Sequence, residues 1–216
     1  MSGAAKFKNN VKVSERHGAG EWLIERILLV ALLPLGLWVL EQAAHQQVAW
    51  AAQGWDLVVS VNLSPRQFAS PDLLHDITGV LRQAGVNPAR MELEITESML
   101  LGEDQHVLGV MRELSALGLT MALDDFGTGY SNLAYLQRFP IHTLKIDKTF
   151  IQDTDANRSL AELIVSLSTL MKLTAVAEGV ESLEQYEFLE RSGCDFIQGY
   201  LLSRPLPPTE LQRLFN

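Results

Sequence analysis

From residue 57 onward short apolar runs alternate with stretches of helical period, and each run ends at or near a side chain carrying oxygen or nitrogen. The apolar runs fall at 57–62, 91–95, 119–123, 142–146, 174–178 and 195–199, and each reads as a strand. Helices are predicted at 71–83, 104–117, 133–137, 157–171, 183–191 and 208–215, several closed by a glycine such as Gly85 or Gly118. Strand alternating with helix at this spacing means parallel βα units, and nothing in the pattern supports a second domain. The polar residues matter through where they fall. Asn62, Glu94, Asp124, Lys145, Glu178 and Gln198 each stand at or near the C-terminal end of a different strand. In a (β/α) barrel those ends converge on one face, where active sites are built.

Charge and size exclude several alternatives. A net charge of −9 and a pI near 5.0 argue against binding long nucleic acid by phosphate neutralisation. The hydrophobic content of 47% is enough for a sizeable core. Cys194 is the only cysteine, so no internal disulfide exists and a cytoplasmic location is expected. The apolar run 27–40 is shorter than the roughly 20 residues needed to cross hydrocarbon. It reads as a buried helix broken near Pro34-Leu-Gly36, and membrane contact is the weaker reading. Residues 1–33 form an atypical segment, in part disordered, in which only Val11-Lys-Val13 alternates like a strand. The barrel domain is taken as 34–216.

The stretch Met121-Ala-Leu-Asp-Asp-Phe-Gly-Thr-Gly-Tyr-Ser131 concentrates the chemistry. Asp124 and Asp125 repel each other unless a cation or proton lies between them. Together with Asn62 and Glu94 they supply hard oxygen donors suited to Mg²⁺ or Mn²⁺ rather than zinc, and none of the five histidines is well placed as a ligand. One carboxylate of an adjacent pair can bridge two ions about 3.5–4 Å apart, the arrangement used for in-line displacement at phosphorus. Lys145 can orient an attacking water, Glu178 can act as ligand or general base, and Gln198 can hold either Glu178 or the substrate. The reaction class these residues predict is metal-assisted phosphodiester hydrolysis.

Ser60-Val-Asn-Leu-Ser64, Glu92-Leu-Glu-Ile-Thr-Glu97, Asp124-Asp-Phe-Gly-Thr-Gly-Tyr-Ser131, Leu144-Lys-Ile-Asp147, Ala177-Glu-Gly-Val-Glu181 and Gln198-Gly-Tyr200 follow one another in this chain. The set closely resembles the EAL-domain phosphodiesterases, which open cyclic di-GMP to linear pGpG. The resemblance implies a TIM-type (β/α) barrel with a two-metal Mg²⁺ or Mn²⁺ site. Asn62, Glu94 and Asp124 then match ligands of one metal, and Asp124 and Asp125 those of the second, with Glu178 at that site. Lys145 matches the lysine that contacts the water. Glu97 and Glu181 match residues that steady the loop after the Asp-Asp strand, and Gln198 the glutamine beside the catalytic centre.

One part of the family pattern is missing. Neither Glu-Ala-Leu nor Glu-Val-Leu, which supplies a further metal-binding glutamate and a nearby arginine, occurs in these 216 residues. The family's first two strands also lack counterparts, so the barrel is expected to be incomplete, with about six βα units recognisable and those two strands absent or replaced. Free strand edges then imply a homodimer. Activity on cyclic di-GMP is expected to be reduced or lost. The competing expectations are a catalytically inactive module binding cyclic di-GMP or a protein partner, and a rearranged start of an ordinary enzyme. Glu15, Glu21 and Glu25 are the carboxylates available to replace the missing ligand.

Overall fold

The structure, a computed structural model, describes residues 19–100, 105–127, 133–152 and 155–211, the side chains of 19–33, 133–135 and 155 excepted. Six strands form one sheet in the order of the sequence: β1 (Val59–Asn62), β2 (Met91–Thr96), β3 (Thr120–Phe126), β4 (Thr143–Ile146), β5 (Thr174–Ala177) and β6 (Phe196–Ile197). Every neighbouring pair is parallel. A parallel pair needs a crossover, and helices supply it. These are α2 (Pro65–Phe68) and α3 (Leu73–Ala84), then α4 (Gln105–Ala116), α5 (Leu133–Arg138), α6 (Asp155–Met171) and α7 (Leu183–Ser192). A long helix α1 (Ala19–Ala51) precedes the sheet and a short α8 (Pro208–Leu211) follows it. Among the described residues β1 and β6 are the two ends of the sheet, so the barrel is open, as the missing strands predict.

The two-residue period of a strand sorts the chain into two faces. One carries Val61, Met91, Leu93, Ile95, Met121, Leu123, Leu144, Ile146, Ala175 and Ala177, all buried beneath the helices. It meets Leu73, Ile77 and Leu81 of α3 and Leu108, Met111 and Leu114 of α4 in one continuous core. The opposite face, the inside of the barrel, carries Ser60, Asn62, Glu92, Glu94, Thr120, Asp124, Thr143 and Lys145. A hydrophobic shell therefore encloses a polar interior. Closing turns follow local rules: Gly85 ends α3 in the left-handed conformation at φ 68°. A reciprocal bond pair between Ser182 and Gln185 opens α7.

The expected break at Pro34-Leu-Gly36 does not occur, because α1 runs through Pro34 without interruption. The lost hydrogen bond and ring clash of an internal proline cost about 3 kcal/mol. Burial of Leu40, Ala44 and Trp50 on the same helix offsets this. Gly36 serves a close approach, since a Cβ placed there would lie 1.9 Å from Gln67 Nε2. Buried Gln47 donates from Nε2 to the Leu57 carbonyl at 3.3 Å, tying α1 to the chain entering β1. Among the described residues no helix is long and apolar enough to cross a membrane. Val11–Val13 and the side chains of Glu15, Glu21 and Glu25 lie outside the described residues.

Candidate active site

The strand ends bring Asn62, Glu94, Asp124, Lys145 and Glu178 together at one mouth of the sheet. Register explains the first contacts: Asn62 pairs with Glu94 across β1 and β2, and Asn62 Nδ2 donates to Glu94 Oε2 at 3.1 Å. Lys145, two residues beyond Thr143 on the same face of β4, reaches three carboxylates. Its Nζ lies 2.8 Å from Glu94 Oε2, 2.9 Å from Asp124 Oδ1 and 2.6 Å from Glu178 Oε1. Glu178 is held there by its own amide, which donates to the Ile146 carbonyl at 3.0 Å.

Consecutive strand residues normally point to opposite faces, so two adjacent aspartates cannot both face one site in a regular strand. Here β3 is irregular. Its pairing with β4 shifts between Leu123 and Phe126, and Asp125 has φ 54°. The extra residue lets Leu123 and Phe126 both enter the core, at 1% and 4% exposure. Asp125 is turned back beside Asp124, a conformation costing a non-glycine residue about 1–2 kcal/mol. Carboxylate oxygens of Asp124, Asp125 and Glu178 thereby lie within 4.8 Å of one another.

Charge is crowded at this mouth. Burial pushes the Asp125 carboxyl up, and Asp124 and Asp147 push it further against the pull of Lys145. Burial likewise raises Glu178, opposed by its bond to Lys145. For Lys145 burial acts downward, but the bonds to Glu178, Glu94 and Asp124 outweigh it and hold the ammonium well above its ordinary value. Asp124 Oδ1 is fully buried, and among the described residues the Lys145 ammonium at 2.9 Å is its one partner. An under-bonded buried carboxylate oxygen, with two further carboxylates close by and a set of hard oxygen donors, fits a divalent cation.

Gln198 sits at the rim. Its amide donates to the Ala177 carbonyl at 2.8 Å, and its carbonyl accepts from Val180 N at 3.1 Å. With Glu178, Glu181, Lys148 and Tyr200 it lines a pocket of about 300 Å³. Gly199 is required there, because a Cβ would meet the Val180 carbonyl oxygen at 2.1 Å. Glu97 and Glu181 stand outside the ion-pair cluster: Glu97 is buried with neither carboxylate oxygen bonded among the described residues, and Glu181 is exposed. The loop they were expected to steady, including Thr128 to Ser131, lies outside the described residues. Sequence reasoning missed Asp147, whose carboxylate acts on Asp125. The signal was an acid two residues past Lys145, just beyond a strand end.

An open sheet of parallel βα units with clustered oxygen donors at its C-terminal mouth defines a (β/α)-barrel protein whose site is equipped for cation-assisted chemistry. The chain matches the EAL domain family over residues 23–205 and belongs to that family. It is 40% identical over 185 residues to the bifunctional diguanylate cyclase/cyclic di-GMP phosphodiesterase MucR of Pseudomonas aeruginosa, covering 83% of this chain and 27% of MucR. With the cyclic di-GMP phosphodiesterase PdeR of Escherichia coli it shares 36% identity over 188 residues, covering 86% of this chain and 28% of PdeR. The chain thus spans about a quarter of the length of these curated relatives. The solved MucR phosphodiesterase, in complex with cyclic di-GMP, superposes with a TM-score of 0.81 at 37% identity, covering 91% of this chain and 83% of that one. BlrP1 of Klebsiella pneumoniae, in a manganese and cyclic di-GMP complex, gives a TM-score of 0.72 at 28% identity, covering 80% and 45%.

Proposed function

We propose that this chain is an EAL-type module of cyclic di-GMP signalling whose mouth binds Mg²⁺ or Mn²⁺ together with cyclic di-GMP, and whose hydrolysis to linear pGpG is reduced or lost. The observation that carries the reading is the meeting of Asn62, Glu94, Asp124, Lys145 and Glu178 in one bonded cluster with Asp125 beside it. Asn62, Glu94 and Asp124 would hold one cation, and Asp124, Asp125 and Glu178 a second. Bound there, the ions supply an activated water near neutral pH and neutralise phosphate charge. Lys145 keeps a positive charge beside the reacting phosphate and orients the water. Glu178 serves either as a ligand of that second cation or as the general base for the water. Gln198 faces the pocket beside Glu178 and positions the ligand. Glu97 and Glu181 support the loop after β3.

Reduced turnover is expected because these 216 residues hold no Glu-Ala-Leu or Glu-Val-Leu, which leaves Asn62, Glu94 and Asp124 as the ligands of the first cation among the described residues. Loss of a ligand or of its supporting partner lowers metal affinity steeply. The barrel domain is taken as residues 34–216, with the earlier segment as an attachment, and the cytoplasm as its location. The edges at β1 and β6, unpaired among the described residues, favour a homodimer. The reading is tested by calorimetry with cyclic di-GMP in Ca²⁺, then by incubation in Mn²⁺ with detection of linear pGpG. Heat of binding in Ca²⁺ and slow product formation that Glu178→Ala abolishes are expected. Binding without any product supports the alternative of an inactive cyclic di-GMP sensor. No heat at high ligand concentration removes both and leaves a protein-interaction module.

A further inference from the structure

One inward step below the candidate cation ligands, Glu92 makes a second polar layer. Its Oε1 accepts from Ser60 Oγ of β1 at 3.0 Å, and its Oε2 accepts from Thr143 Oγ1 of β4 at 2.7 Å and from Thr120 Oγ1 of β3 at 3.4 Å. A single carboxylate on β2 therefore ties together four adjacent strands on their inner face. Each tie lies beneath a residue of the site. Ser60 is two residues before Asn62, Glu92 two before Glu94 and Thr143 two before Lys145, so each pair projects from the same face. Thr120 lies on the inner face of β3 with Asp124 above it. The tie matters most for β1, an edge strand with no neighbour on its other side among the described residues. Its described inner-face side-chain bonds are Ser60 to Glu92 and Asn62 to Glu94.

We propose that Glu92 is a positioning residue: by bonding the hydroxyls of Ser60, Thr120 and Thr143 it holds β1 to β4 so that Asn62, Glu94, Asp124 and Lys145 converge in an otherwise open barrel. The proposal rests on the cation reading of the mouth given above. It assigns Glu92 no contact with substrate or cation. Its effect comes through geometry, so the hydrogen-bonding shape matters and the charge does not.

The test is Mn²⁺ titration of the full chain, followed by the electron paramagnetic resonance signal of free Mn²⁺, with thermal melts of every variant. Glu92→Ala is expected to weaken Mn²⁺ binding about tenfold, the lower end of what removing a supporting partner costs. Glu92→Gln keeps the shape and one accepting oxygen for Thr143 and Thr120, while its amide nitrogen donates to the Ser60 hydroxyl in place of the second oxygen, and it is expected to stay within about twofold of the parent. Parental affinity in Glu92→Ala overturns the proposal. So does Glu92→Gln binding as weakly as Glu92→Ala, which would mean that the charge alone attracts the ion. If Glu92→Ala gives no cooperative melt, Thr143→Val decides. Weaker Mn²⁺ binding with a parental melt upholds the role, and unchanged binding overturns it. A parent chain that binds no Mn²⁺ at all removes the cation reading itself, a result distinct from a parent that binds and a Glu92→Ala variant that binds equally.

Discussion

Replacing Lys145 by Met keeps much of the side chain's volume but removes its charge from the centre of the site. The residue is 5% exposed, and its ammonium sits 2.6–2.9 Å from three carboxylates whose side chains are 11%, 15% and 20% exposed. Removing one partner from a buried ion pair costs about 3–5 kcal/mol, because the remaining charge stays desolvated and unpaired. Here three carboxylates are left, but the site opens on one side and lets water and protons in. About 3 kcal/mol is therefore the expected loss, a large part of the roughly 5–15 kcal/mol that holds a domain folded. The folded pKa of Lys145 lies above its ordinary 10.5, so its stabilisation is complete below that value and fades as pH rises through the folded one. The comparison is made by urea denaturation at pH 7 in excess chelator. Mn²⁺ facing the unpaired carboxylates restores stability by as much as about 2.7 kcal/mol at a hundredfold excess over its Kd. A loss under about 1 kcal/mol in chelator, or no recovery with Mn²⁺, refutes the electrostatic reasoning.

Three further outcomes follow from local geometry. Asp147 Oδ1 accepts from Thr149 N at 2.9 Å and Thr149 Oγ1 at 2.6 Å. Burial acts upward on its carboxyl, but these bonds and Lys148 together hold it below its ordinary 3.8. Its contribution is then full above 3.8 and is lost as pH falls through the depressed value. Thermal melts carried down through that range should show a shallower acid loss for Asp147→Asn, and parallel curves contradict the assignment. Gly199→Ala forces a methyl onto the Val180 backbone and should cost roughly 1–3 kcal/mol while loosening ligand binding at Gln198; a parental denaturation midpoint is the contrary result. Gly36→Ala displaces Gln67, whose Oε1 accepts from Ser64 N at 2.9 Å at the start of α2. The expected loss is about 0.5–2 kcal/mol by chemical denaturation, the value of a cap, and no loss means that Gln67 adapts freely.

Most of the sheet was legible because parallel strands buried under helices are apolar at every second residue, and polar interruptions on the other face stand out. Leu93, Ile95, Met121, Leu123 and Leu144 announce the core, while Glu94, Asp124 and Lys145 announce the mouth. Adjacent Asp124 and Asp125 suggest a cation pair in the sequence, but the device that makes this geometrically possible is not visible there. The displaced register and positive φ at Asp125 depend on what β4 offers as a partner, which a linear sequence does not display. Pro34 and Gly36 misled for a related reason. Local rules mark them as helix breakers, whereas packing on Gln67 and the buried face of α1 decides the outcome. In the sequence Glu92 stands out only as part of a motif, because its meaning lies in three hydroxyls on three other strands.

The central claim is that side chains from separate strands assemble one divalent-cation site at the open end of the sheet. Crystals of the chain grown with Mn²⁺ and measured at the manganese absorption edge test it directly. The account predicts anomalous density at about 2.1 Å from the oxygens of Asp124, with Glu94, Asn62, Asp125 or Glu178 completing the shell. A mouth without anomalous density at saturating Mn²⁺, or manganese bound only elsewhere on the acidic surface, contradicts it.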